Sequence, residues 1–558
     1  MKAAPRSKTT RRTARKTTPR RRATTARPTV RKAATRKAPP RKAATRPERR
    51  LPASPVRMAT GERRRPAVPA APTRAVRVAQ PDLTLVNLNM LYIRYAEAVE
   101  RERHLPLGPL YLTAALERAG FKVDFRDYQF GEAADPFDLD SIVEFCTDPG
   151  PILGLSCMAN LLPFTILAAQ RLKQRYPDRT IVLGGVGAKG VERLVMRRFP
   201  WIDLVAHGEG ELAGVELVRA LRHGGDLSRV PGLFRRDADG RVVENPQGPR
   251  IAELDQIGRP AYHHVDLTKY DAYGMVTSRG CPYPCTFCSV APVWGRVSTY
   301  RSAQDVVAEM RELHEAAGVD LFLFQDEFFV ASKARVLEFC DELRRSGLKV
   351  RWKAFGRVNL TDRETMQAMA RGGCLEIRYG IESGSAKILE QTRKGFTPDD
   401  SVQVVSEATT LFPRVDSFFI WGFPFETMAD FHETVFQMLS FRLMGSRILP
   451  SLLCLLPQTE VYQALDPAVP LEFCEELLPE YMITGHETLG VGVVDTGGKH
   501  AGIFDFIRRH PDVFPGFFLP DVAGNIRPKF RVLQEHGFYR SANRLRGESD
   551  SCGAHSPK

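Results

Sequence analysis

The chain has 558 residues, 43% hydrophobic and 26% charged, the balance of a globular protein with length for two or three domains; this excludes a wholly disordered chain and a small disulfide scaffold. Its formal net charge of +15 invites a nucleic-acid reading, but residues 1–79 hold 26 Lys and Arg against only two acids, Glu48 and Glu62. The remainder holds 54 basic and 63 acidic residues, so a +24 segment precedes a −9 body.

Residues 1–79 are built from Arg, Lys, Ala, Thr and Pro, with Arg-Lys-Ala-Ala-Thr-Arg at 31–36 and again at 41–46. Such a segment buries no core and is expected to be disordered. It resembles linker-histone tails, which would neutralise phosphates without reading sequence. No aromatic residue interrupts it, which argues against base stacking. The other readings are a solvated tail without a specific partner and a start-site artefact, since Met58 offers a later start. No apolar core follows to complete a signal peptide, and the longest apolar stretch, near 448–456, falls far short of the roughly 20 residues that span a bilayer. A cytoplasmic protein without a membrane span is expected. Ten cysteines, three of them within eight positions, fit a metal site in a reducing compartment better than a disulfide frame.

From 81 to 235 short apolar runs alternate with amphipathic stretches. Strands are predicted at 83–89, 122–128, 152–156, 180–184 and 204–207, and helices at 107–119, 137–146, 163–176 and 191–199. The alternation predicts a doubly wound parallel sheet of Rossmann type, with ligands at the carboxyl ends of its strands, in loops 156–160, 184–190 and 208–211. Gly185, Gly187 and Gly190 form a G-x-G-x-x-G after a strand. It follows the fourth strand and lacks a suitably placed acid for a ribose, so dinucleotide binding is not expected. The glycines instead let a backbone approach a bulky ligand closely. A linker is expected over 236–271.

Arg279-Gly-Cys281-Pro-Tyr-Pro-Cys285-Thr-Phe-Cys288 is a C-x3-C-x2-C on a loop after a predicted strand at 275–278. Three thiolates at this spacing can hold three irons of a [4Fe-4S] cluster and leave the fourth open. The alternative is zinc, which as a structural ion takes four ligands; the nearest further donors, His263 and His264, lie 17 or more residues upstream.

Strand and helix alternation then resumes. Further strands are predicted at 321–324, 350–355, 375–381, 417–421 and 448–456, and helices at 302–317, 332–346, 362–371, 398–411 and 427–441. Six strands suggest a partial TIM-like (β/α)6 barrel over 272–460, with function at the carboxyl ends of its strands. Gln325-Asp326-Glu327, Arg357, Gly380-Ile-Glu-Ser-Gly-Ser385, Gly422-Phe-Pro-Phe-Glu-Thr427 and Leu456-Pro-Gln-Thr459 sit at those ends. Residues 461–558 carry no recognisable motif; they either close over the substrate or brace the barrel.

The cysteine motif, with Phe287 before its last cysteine, together with Gly-Ile-Glu-Ser-Gly-Ser on the fourth strand and Gly-x-Pro-x-Glu-Thr after the fifth, resembles the radical S-adenosylmethionine (SAM) enzymes. The preceding domain, with Gly184-Gly185 and His207-Gly-Glu-Gly-Glu211 at strand ends, resembles the cobalamin-binding module of the subgroup containing the bacteriochlorophyll oxidative cyclase and many carbon methyltransferases. The resemblance covers about residues 81–460.

The resemblance implies that Cys281, Cys285 and Cys288 ligate iron and that SAM chelates the open iron, giving a 5′-deoxyadenosyl radical on reduction. It implies Phe287 beside the adenine, Glu382 at the SAM ribose or amine, and Gly422 and Leu456 bordering the adenine. It places Ser156, Gly184, Gly185, Gly208 and Glu209 at cobalamin, and it implies an electron donor such as flavodoxin or ferredoxin. The chain departs from the pattern that binds cobalt through histidine: the loop after its first strand reads Asn87-Leu-Asn-Met-Leu-Tyr92, without Asp-x-His-x-x-Gly. Any cobalamin is therefore expected to carry no protein histidine. Val186-Gly187 also replaces the family's frequent Pro-His. Three functions follow as alternatives: cobalamin-dependent methyl transfer to an unactivated carbon of a small molecule, oxidation or cyclisation without methyl transfer, and nucleic-acid modification recruited by the basic tail.

Overall fold

The structure is a computed structural model that describes residues 78–88, 103–133, 135–475, 477–479, 482 and 500–539. The basic segment, apart from Val78 and Ala79, lies outside the described residues, as do most of the Asn87–Tyr92 loop and Cys552.

The first sheet is built from β1 (Leu83–Asn87), β2 (Val123–Asp127), β3 (Ile152–Ser156), β4 (Thr180–Gly184), β5 (Leu204–Ala206), β6 (Leu233–Arg236) and β7 (Val242–Glu244), in the order β2-β1-β3-β4-β5-β6-β7. The pairs from β2 to β5 are parallel. Helices cover both faces of these strands, so β1 and β3 are buried at every position, and both are mostly apolar, with Thr84, Asn87 and Ser156 as the polar members. The strand order reverses between β1 and β3, which places a ligand crevice at the carboxyl end of β3, beside Ser156.

Two features go beyond the predicted elements. The antiparallel strands β6 and β7 extend the sheet, the second of them inside the stretch expected to be a linker. A 14-residue helix, Gly210–His223, follows the 208–211 loop; Glu211 lies in its first turn and left-handed Gly224 ends it.

The strands of the second sheet are β8 (Tyr273–Met275), β11 (Leu321–Phe324), β12 (Arg351–Gly356), β13 (Cys374–Glu382), β14 (Arg414–Trp421) and β15 (Arg447–Leu452), and the predicted connecting helices form in place. The sheet is parallel throughout, in the order β15-β14-β13-β12-β11-β8. The strand predicted at 275–278 is divided. After β8 the chain leaves the sheet because Asp326 captures the Thr277 N–H at 2.6 Å; β9 (Ser278–Arg279) then pairs antiparallel with β10 (Thr299–Tyr300) across the cysteine loop.

The region beyond 460 packs on both units. Phe504, Phe506 and Ile507 of helix Ala501–Arg509 join the core of the first domain with Phe164 and Phe199. Leu519, Val522, Ile526, Leu533 and Tyr539 join the core of the barrel, where Tyr539 accepts a hydrogen bond from the Trp421 indole at 2.9 Å. Among the described residues no helix is long and apolar enough to cross a membrane.

Candidate functional site

Cys281, Cys285 and Cys288 are free and half-buried on the loop between β9 and β10. The loop folds back through a Cys288 N–H to Cys285 carbonyl bond of 3.2 Å, and the Cys288 sulfur accepts from the Val290 N–H at 3.5 Å. Burial first, with Cys285 and Cys281 adding to it against the Val290 N–H and Lys394, raises the Cys288 thiol to about 12. Cys281 is raised by burial and by Cys285, against the cations Arg357 and Lys394. Burial and the neighbouring thiols disfavour the thiolates of Cys281 and Cys288, and a bound cation would favour them.

Among the described residues, Glu117, His263 and His264 bring three ligand atoms within 4.8 Å of one another. His263 and His264, the donors a zinc reading would recruit, are held by Glu117 at 3.0 and 2.6 Å instead.

The barrel strand ends gather beside this loop. The Phe287 ring meets Phe423 edge-on at 6.0 Å, in a small apolar cluster with Ile388, Leu453 and Leu455. Glu382 ends β13 with φ +69, at an irregularity in the register with β14. A non-glycine residue in the left-handed region carries a backbone cost of about 1–3 kcal/mol. It is buried, and Lys394 holds its carboxylate at 2.9 Å. Gly422 begins the turn after β14 with φ +87, a conformation that favours glycine. Leu456 follows β15 and caps a turn through its carbonyl, which accepts from the Thr459 N–H and hydroxyl at 3.0 and 2.7 Å.

On the first domain Ser156, Gly184, Gly185, Gly208 and Glu209 all line one cavity of about 440 Å³. Gly185 has φ +81, and a Cβ there would meet the Cys157 carbonyl at 2.5 Å. The opposite wall comes from the barrel: Ser278, Arg279, Gln325 and Glu327 line the same cavity. Glu209 touches the cavity, but both of its oxygens are engaged. One accepts from Arg250 at 3.0 Å and the Ile251 N–H at 2.7 Å, the other from Arg279 at 3.1 Å. Arg279 also pairs with Glu211 at 2.5 Å, so the residue two places before Cys281 is fastened to the start of helix Gly210–His223.

Sequence reasoning misses several members of this site. Lys394 comes from the turn after helix Ala386–Gln391. Arg357, expected only as a strand-end polar group, stacks on the Tyr283 ring at 3.6 Å and reaches the Cys285 sulfur at 3.9 Å. Tyr111 lines the cavity with its ring under Arg279 at 5.5 Å. The sequence signal for the two cations is slight: a basic residue near a strand or helix end is too common to single out.

Comparison with known proteins follows this geometry. The B12 binding domain family matches residues 98–218 and the Radical SAM superfamily matches residues 275–438. The chain is 33% identical over 335 residues to an uncharacterised methyltransferase of Pyrococcus horikoshii, covering 59% of this chain and 72% of that protein. It is 28% identical over 360 residues to the anaerobic magnesium-protoporphyrin IX monomethyl ester cyclase of Synechocystis, covering 62% and 70%. Among solved structures it is similar to the radical SAM methyltransferase TsrM of Kitasatospora setae, bound to cobalamin and a [4Fe-4S] cluster, with TM-score 0.56 and 20% identity over 70% of this chain and 76% of that one. Against OxsB, a cobalamin-dependent radical SAM enzyme, the TM-score is 0.55 at 20% identity over 64% of this chain, which spans about half, 52%, of that longer chain. At such identities the structural likeness is one of fold. The sequence relationship goes further: the chain belongs to the radical SAM superfamily, in the group whose barrel follows a B12-binding domain.

Proposed function

We propose that the chain is a cobalamin-dependent radical SAM methyltransferase acting on an unactivated carbon of a small molecule. The observation that carries this reading is the shared cavity, in which the strand ends of the B12-binding domain face Ser278 and Arg279, immediately before the cysteine loop. A methyl carrier and a radical generator need one common, water-poor space, and this one has walls from both domains.

The residues fit the groups the family implies. Cys281, Cys285 and Cys288 would hold three irons, and the repulsion that neighbouring thiolates exert on Cys281 and Cys288 would be relieved by a bound cation. For cobalamin, Gly184, Gly185 and Gly208 leave the wall without side chains where a large planar ligand would lie. His207, at the same wall, is engaged by Glu192 at 3.2 Å, Lys189 at 3.1 Å and Gln247, which supports a cobalt without a protein histidine.

When bound, the cluster and cobalamin supply the electron that cleaves SAM and the carrier for the methyl group. The chain's own part is placement. Lys394 holds Glu382 so that one face of the carboxylate is fixed for a SAM hydroxyl or ammonium. Phe287 and Phe423 offer an apolar face to an adenine, bordered by Gly422 and Leu456. Arg357, against Cys285, places a positive charge beside the thiolates.

The test is product analysis of anaerobically reconstituted full-length chain given SAM and reductant, beside measurement of its iron and cobalamin. About four irons per chain are expected, lost on changing any of Cys281, Cys285 or Cys288 to Ala. Methyl transfer yields S-adenosylhomocysteine together with 5′-deoxyadenosine. A product mixture with 5′-deoxyadenosine alone would favour oxidation or cyclisation, the reading supported by the similarity to the Synechocystis cyclase.

A further inference from the structure

The region beyond the barrel contains a strained and charged segment that its packing alone does not require. Asp521 adopts φ +48, and its carboxylate accepts from the Gly524 N–H at 2.9 Å. A π-helical turn, Val522–Ile526, then runs directly into helix Arg527–Glu535. Such wide turns are rare and concentrate at functional positions. The turn brings Asn525 and Lys529 onto one face, four residues apart, where the ammonium bonds the Asn525 side-chain oxygen.

That face closes on the turn after β14. The Lys529 ammonium, 1% exposed, lies 2.9 Å from the Glu426 carboxylate, 0% exposed, and donates to the Glu426 carbonyl at 2.8 Å. The carboxylate oxygen of Glu426 that faces Lys529 also accepts the Gly422 N–H at 2.9 Å. Asn525 donates to the carbonyls of Gly422 and Phe423 at 3.4 and 3.3 Å. Ile526 closes the remaining side, since a Cβ on residue 422 would stand 2.9 Å from its side chain. Phe423 carries the contact onward to Phe287, between the second and third cysteines.

A fully buried ion pair is seldom retained for stability, because apolar residues of similar size serve as well. This one has a directional result: the carboxylate it fixes holds the Gly422 N–H, while Asn525 beside it holds the carbonyls of Gly422 and Phe423. We propose that Asp521–Lys529 is a clamp that sets the shape of the Gly422–Glu426 turn, and that Lys529 is a positioning residue for the adenine of SAM, acting through Glu426 and Gly422. The inference rests on the reading of that turn as part of the SAM site.

The experiment uses full-length chain with cluster and cobalamin loaded, comparing wild type with Lys529→Met and Asn525→Ala. SAM affinity is measured by equilibrium binding, and the electron paramagnetic resonance spectrum of the reduced cluster is recorded with and without SAM. Lys529→Met is expected to weaken SAM binding by about tenfold or more and to diminish the SAM-induced spectral change, with iron and cobalamin contents unchanged; Asn525→Ala is expected to weaken it by about threefold. Should Lys529→Met not fold, Glu426→Gln/Lys529→Met carries the same test, because it leaves no uncompensated buried charge while the tether stays cut. Wild-type affinity in these folded variants would overturn the clamp alone. A loaded wild type that does not bind SAM would overturn the reading of the site, and the clamp with it.

Discussion

Replacing Arg279 by Met probes the contact that fastens the cysteine loop to the B12-binding domain. The Arg279 side chain is 8% exposed and its carboxylate partners, Glu209 and Glu211, are 4% and 9% exposed. Methionine keeps much of the apolar stem and removes only the charge and its donors. Glu209 would retain Arg250 and the Ile251 N–H, so the change leaves one uncompensated buried carboxylate, Glu211. Breaking a buried pair on one side costs about 3–5 kcal/mol. Loss of the guanidinium from the Tyr111 and Trp294 rings, at 5.5 and 5.7 Å, adds about 0.5–1 kcal/mol each. We therefore expect a loss of about 4–7 kcal/mol, read as a fall in the midpoint of the first unfolding transition in urea. Because Gly280 and Cys281 follow directly, reconstituted iron content should fall as well. Glu211→Gln on the Arg279→Met background removes the stranded charge and should restore about 1–3 kcal/mol. An Arg279→Met protein as stable as wild type, or a second change that restores nothing, would show that the pair is not a coupled buried contact.

Other expectations follow from single features. Gly185→Ala forces a side chain into left-handed backbone and onto the Cys157 carbonyl, so it should weaken cobalamin binding by more than about tenfold while iron content is retained; equal cobalamin occupancy would refute the close approach. Burial pushes the Glu376 carboxyl up, but Arg378, Lys353 and Arg414 outweigh it and hold the group at about 2. A depressed carboxylate contributes stability above its unfolded pKa of 4.5 and loses it as pH falls toward 2. Glu376→Gln should therefore lower stability at neutral pH and flatten the pH profile between those limits, as followed by thermal melts; an unchanged profile would count against the network. Any salt-dependent affinity for DNA or RNA is expected to reside in the basic segment, so deleting residues 1–57, which removes most of it, should abolish that affinity and leave product formation unchanged. A truncated chain that binds as before would rule out the tail as the contact.

Local pattern carries most of the architecture. The buried parallel strands β3, β4 and β11 lie within the predicted bounds to the residue, because a strand covered on both faces is a short unbroken apolar run with breakers at its ends. Helix Gly210–His223 is lost to the same logic: its opening Gly-Glu-Gly-Glu reads as a loop, and the apolar residues that define its buried face come only later, at Leu217 and Val218. The antiparallel strands β6 and β7 are too short, at four and three residues, for an alternating pattern to register. β13 runs to Glu382 because a residue held at positive φ still pairs with β14, which no propensity anticipates.

The acids at the strand ends show where local reading stops. Glu382, Glu426 and Glu209 all sit in segments marked by glycine and polar residues, and each is neutralised by a cation distant in sequence: Lys394, Lys529, and Arg250 with Arg279. A motif names the carboxylate but not its counter-charge, since the partner needs only to be basic and can come from any later turn. The distinction changes what each acid can do. A carboxylate with its charge already met serves as a hydrogen-bond acceptor for backbone or ligand groups; one without a cation can in addition compensate a positive charge. Among the described residues Glu327 has no ion-pair partner; it accepts from the Trp294 indole at 2.6 Å and the Gly280 N–H at 3.1 Å, and it lines the cavity shared by both domains. It enters the sequence reading only as the last of three polar residues after β11. Charge accounting in the folded chain, rather than the motif, separates this acid from the ones that hold the scaffold.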